Sequence, residues 1–176
     1  MNFRIAVCAM LLLGTAMAPA TVHAQAASDN PSVTAQLDAV KPLVAKIKKD
    51  AQTMQSFSVA TGPSWTSHAA VLTKMKDDVN KVQESTRGLQ SHRTVASAWQ
   101  QDAIDRISAL ANDLATNMNR AIDQLNKSKT RPTSTPYVEY LKENTRLATA
   151  LGDEIDAVID AGEAKAKEEA LSKKLD

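Results

Sequence analysis

The chain has 176 residues, of which 43% are hydrophobic, 23% charged and only 3% aromatic. That is enough for one domain once a leader is set aside. Its 21 Lys and Arg face 20 Asp and Glu, and Arg4 is the one charged residue of the leader, so the remainder balances at 20 to 20. Such a balance lacks the one-signed field that nucleic-acid binders use, which argues against DNA or RNA as a partner.

The chain opens with Met1-Asn2-Phe3-Arg4, a short positive segment, and continues with an apolar run from Ile5 to Ala20 that Gly14 and Pro19 interrupt. The run is shorter than the roughly 20 apolar residues a spanning helix needs. Val22-His23-Ala24 then places small residues where a signal peptidase looks for them. Residues 1–24 therefore read as a signal peptide cut between Ala24 and Gln25, with a cut after Ala26 as the second choice. The expected destination is the periplasm or the medium of a bacterium. No later stretch is long and apolar enough to cross a membrane. Cys8, the only cysteine, lies inside the leader, so disulfides, thiolate metal sites and cysteine nucleophiles are not expected in the processed chain.

Residues 25–30 read as a disordered lead-in, ended by Asn30-Pro31, a helix cap followed by a proline at the first helical position. The first helical stripe is Val33, Leu37, Val40, Val44, Ile47, Ala51 and Met54, flanked by Leu43 and Phe57. Pro42 sits within it without shifting its phase, which predicts one continuous helix. Thr61-Gly62-Pro63-Ser64 breaks the pattern. The second stripe is Trp65, His68, Leu72, Met75, Val79, Val82 and Leu89, with Gly88 placed as a left-handed cap near its end. Ser97-Ala98-Trp99-Gln100 has the form of a capping box. Ile104, Ile107, Ala111, Leu114, Met118, Ala121 and Leu125 follow as a third stripe. A polar, basic connection from Asn126 to Thr135 leads to the fourth, which is Tyr137, Leu141, Ala148, Leu151, Ile155 and Val158. Beyond Gly162 the chain becomes Glu163-Ala164-Lys165-Ala166-Lys167-Glu168-Glu169, a solvated helical tail expected over 163–176.

Each main helix spans about 40–50 Å at 1.5 Å per residue. The longest connection reaches at most roughly 35 Å fully extended. No connection can carry the chain back along a helix, so the four must alternate in direction. The expected fold is all-α, an up-down-up-down antiparallel four-helix bundle over 31–162.

Several chemistries lack their residues. A c-type haem needs Cys-x-x-Cys-His, and a di-iron site needs inward Glu-x-x-His pairs; the chain carries neither. A b-type haem clamped by a Met and a His from opposite ends of the bundle sequence fails because the fourth helix has no histidine. His68 and His92 fall near opposite ends of the second helix and cannot share a metal. No nucleophile elbow or phosphate loop occurs. The expectation is therefore a non-enzymatic protein without catalytic residues, metal or cofactor.

Two polar features remain. Asn117 and Asn144 fall on the third and fourth stripes. They read as a buried amide pair that fixes register, or else as the lining of a polar pocket between those helices. The alternating topology also brings Phe57, Trp65, Tyr137 and Tyr140 to one end of the bundle, with His68 and the basic trio Lys127, Lys129 and Arg131; Trp99 is left elsewhere. Two helix N-termini point the same way. The plainer reading is that the rings plug the end, and the sharper one is a seat for an anionic or amphipathic ligand. The functional expectation is an interaction or binding module of the bacterial cell envelope with a protein partner. The alternative is a carrier of a small anionic or amphipathic ligand at the aromatic end. Partner identity and oligomeric state are not written in the sequence.

Overall fold

The computed structural model describes residues 29–58, 60, 63–129 and 134–175. The leader expected over 1–24 and its expected Ala24–Gln25 junction lie outside them. Helix α1 (Pro31–Phe57) begins where the Asn30 side chain accepts a hydrogen bond from the Ser32 N–H at 2.9 Å. It runs unbroken through Pro42, as the undisturbed phase of its stripe predicts. The last two residues of the expected disordered lead-in are instead tied to the bundle. Asp29 accepts from the Trp99 indole at 2.6 Å, and the Asn30 N–H donates to Gln100 Oε1 at 2.7 Å.

Helix α2 (Trp65–His92) is capped by Ser64, whose Oγ accepts from the Ser67 N–H at 3.3 Å. One expectation fails here. Gly88 has no left-handed backbone and ends nothing; the helix continues to His92 and tightens into a 3₁₀ turn over Arg93–Val95. Gly88 serves close approach instead. A methyl group there would stand 3.2 Å from Gln36 Oε1 of α1. Helices α3 (Ala98–Lys127) and α4 (Thr135–Leu175) complete the order.

The helices form a closed ring in which α1 packs on α2 and α4, and α3 packs on the same two. This is the all-α four-helix bundle that short connectors demand. The interior is filled by the four stripes as read. Every apolar member is buried except Trp65, which is half-buried at the end. A buried aliphatic side chain contributes roughly 1.5–3 kcal/mol, so this single core dominates the fold.

Polar contacts set the register between neighbouring helices. Asp78 of α2 is buried between stripe residues and paired with Lys46 of α1 and, at 3.2 Å, with Lys81 of its own helix. Burial pushes the Asp78 carboxyl up, but the two ammonium groups outweigh it and hold it below the ordinary carboxylate value. Thr145 Oγ1 of α4 lies 3.2 Å from both the Ala51 carbonyl of α1 and the Leu141 carbonyl of its own helix, sharing its one proton between them. Lys41–Asp156 and Arg106–Glu154 are outer ion pairs, of the exposed kind that contributes little. No described helix is long and apolar enough to cross a membrane.

Candidate functional site

At the end reached by the close of α1 and the start of α2, the chain must cover an open bundle mouth. His68 lies one turn into α2 and Tyr137 at the start of α4, both fully buried. Their side chains meet, His68 Nδ1 to the Tyr137 hydroxyl at 3.0 Å. The Phe57 ring stands edge-on to His68 at 5.4 Å between centroids, and the Tyr137 ring is tilted against His68 at 5.5 Å. Three helices thus contribute one aromatic cluster. Burial alone pushes the His68 imidazolium down and the Tyr137 phenol up, so both are neutral. The Tyr137 hydroxyl pairs His68 Nδ1, while His68 Nε2 is buried with no hydrogen-bond partner among the described residues.

Trp65 covers the rim. Its indole N–H donates to the Leu125 carbonyl at 3.2 Å, in the last turn of α3, where the same oxygen also accepts from the Ser128 N–H at 3.2 Å. Lys129 Nζ lies over its ring at 4.9 Å from the centroid, within cation–π range. Lys127 is exposed nearby in sequence, and Tyr140 is half-buried. Arg131, expected in the same group, lies outside the described residues. The structure therefore puts Phe57, His68 and Tyr137 in contact and sets Lys129 over Trp65.

Asn117 and Asn144 also meet. Asn117 Nδ2 donates to Asn144 Oδ1 and to the Tyr140 carbonyl, both at 2.8 Å, and both residues are buried. The pair joins α3 to α4 and reaches the backbone of an aromatic-end residue. Among the described residues no three of His, Cys, Asp and Glu are grouped to hold a metal ion.

The opposite end contains a cluster that the sequence reading did not single out. Gln100 is fully buried; its Oε1 accepts from the N–H groups of Asn30 and Ser97, and its Nε2 donates to the Asn30 carbonyl at 3.1 Å. It closes the predicted capping box and clamps the start of α1 as well. Beside it, Trp99 and Lys165 both donate to Asp29, and Lys165 lies 5.6 Å from the Trp99 ring centroid. Burial pushes the Asp29 carboxyl up, yet these donors hold it below its ordinary value. The available signal was the polar residue Gln100 at a capping-box position that also continues the third stripe toward the N-terminus.

Comparisons with family models, with curated proteins and with solved structures find no match to this chain. Function therefore has to be argued from the residues themselves.

Proposed function

We propose that the protein is a non-enzymatic interaction module of the bacterial cell envelope, exported by its 1–24 leader. It meets a protein partner through the end of the bundle where α4 outruns its neighbours. The observation that carries this reading is the extension itself. From Glu163 to Leu175 the helix continues with every residue exposed, and Leu171 and Leu175 are 62% and 89% accessible. Thirteen residues at 1.5 Å each make roughly 20 Å of helix. A segment that short is marginal alone, so its root in the bundle supports it. At that root an open groove of about 500 Å³ lies between the start of α1 and the extension, floored by Pro31, Ala35 and Ala166. Asp38, Glu163 and Glu169 line it too, which favours a partner offering a basic segment.

A photo-crosslinker at Leu171 in the producing cell tests the proposal. The expected result is a discrete adduct that is absent when the probe is moved to exposed Asp123 on α3, and that weakens in Glu163→Lys/Glu169→Lys. Identical bystander adducts from both positions would refute it. A second reading, a carrier of a small anionic or amphipathic ligand, rests on half-buried Trp65 beneath Lys129. A ligand going deeper would have to part His68 from Tyr137. A screen of anionic amphiphiles that leaves the melting temperature unmoved removes that reading.

A further inference from the structure

We infer that the cleft between α3 and α4 beside the Asn117–Asn144 pair is a binding site for a small zwitterion, an α-amino acid in its free form. The cleft measures about 240 Å³ and is lined by Asp113, Thr116, Asn117, Arg120, Glu143 and Leu147. The first four recur at helical steps of three, one and three, so one face of α3 presents them together.

Asn117 is the fixed point. It is only 6% exposed, and its Nδ2 is committed twice, to Asn144 Oδ1 and to the Tyr140 carbonyl. A backbone carbonyl can only accept, which settles which end of the amide is nitrogen. Asn117 Oδ1 receives no hydrogen bond among the described residues and is the acceptor left to the cleft. With Nδ2 committed, this oxygen is the polar atom the residue leaves accessible from the cleft, and an ammonium group is the donor that suits it best.

The charges around it select the ligand. Among the described residues neither Asp113 nor Arg120 has an ion-pair partner, whereas Glu143 is gripped by Arg146 through two bonds of 2.8 and 2.6 Å. Asp113 and Arg120 are seven residues apart, roughly 10 Å along the helix axis, and flank Asn117 from either side. A simple anion entering the cleft would meet Asp113, Glu143 being held by Arg146; a simple cation would meet Arg120. A molecule with both charges escapes both penalties. Its carboxylate takes the planar fork of Arg120, its ammonium lies between Asp113 and Asn117 Oδ1, and its side chain rests on Leu147. The small volume favours an amino acid over larger zwitterions. This site goes beyond the partner-binding reading, and neither test bears on the other.

The test is a nuclear magnetic resonance titration of the processed protein with L-alanine and L-glutamine, alongside N-acetyl-L-alanine and L-alanine amide, each lacking one charge. Free amino acids should shift the Asn117 side-chain amide and the backbone signals of Asp113 and Arg120, and each blocked compound should bind about tenfold more weakly. Arg120→Gln and Asp113→Asn, both at exposed positions, should weaken binding by a similar factor with melting unchanged. The proposal is overturned if millimolar free amino acid moves none of these signals, if blocked compounds bind equally well, or if both variants keep full affinity.

Discussion

Replacing Tyr137 measures what the aromatic cluster does. The ring is fully buried and supplies the only partner of His68 Nδ1 among the described residues. Tyr137→Phe keeps the ring and removes the hydroxyl, leaving a buried imidazole nitrogen unpaired, at an expected cost of about 1–3 kcal/mol. Tyr137→Ala also removes the ring from a closed site, and the loss should rise to about 3–5 kcal/mol. Trp65→Ala should cost less, because that ring is only half-buried. Urea unfolding followed by circular dichroism reads all three, at about pH 8 so that the imidazole is neutral in both folded and unfolded chains. Adding His68→Phe to Tyr137→Phe should cost less than the two single losses together, since each single variant strands the other's polar atom. A loss below about 0.5 kcal/mol for Tyr137→Ala would refute the plug, because such values belong to surface positions.

Acid should loosen the same cluster. Burial holds the His68 imidazole below its ordinary value, so the unfolded chain takes up a proton before the folded one does. This contribution is complete above about pH 6.5 and is lost progressively as the pH falls below it. The melting temperature should drop between about pH 7.5 and 5.5, and His68→Phe should abolish most of that drop; an equal drop in both proteins would remove His68 from the explanation. Gln100→Ala should cost about 1–3 kcal/mol and speed amide hydrogen exchange at Asn30 and Ser97 without touching the Tyr137 end. Uniform acceleration along the whole chain would show that Gln100 is no local clamp. Gly152→Ala should stabilise by about 0.8–1 kcal/mol through helix propensity, since the added methyl would meet Val44 Cγ1 at an ordinary 3.6 Å. A lower urea midpoint would show that the α1–α4 seam has no room.

The four stripes were legible because burial imposes a 3.6-residue period on any helix that packs on one side. The connectors supplied the topology, and Asn117 and Asn144 could be paired because each stands at the same phase as its stripe. Other features depend on how far each helix is rotated and slid against its neighbour, which a one-dimensional pattern does not record. Asp78 is one such case: a carboxylate beside Val79 looks like a solvated edge until Lys46 is seen to reach it. Gly88 misled because glycine near a helix end usually signals termination, whereas here it lets Gln36 come close. Gln100 was legible as a cap for its own helix, but its grip on Asn30, 70 residues earlier, was not.

Asp29 and Lys165 touch although 136 residues separate them, so the start of α1 and the root of the α4 extension are neighbours in space. The ring of helices therefore has no privileged seam. Linking the region of Lys165 to Asp29 through a short flexible bridge and opening the chain between α1 and α2 would give a circularly permuted protein. It would retain all four inter-helix interfaces while the order of synthesis changed.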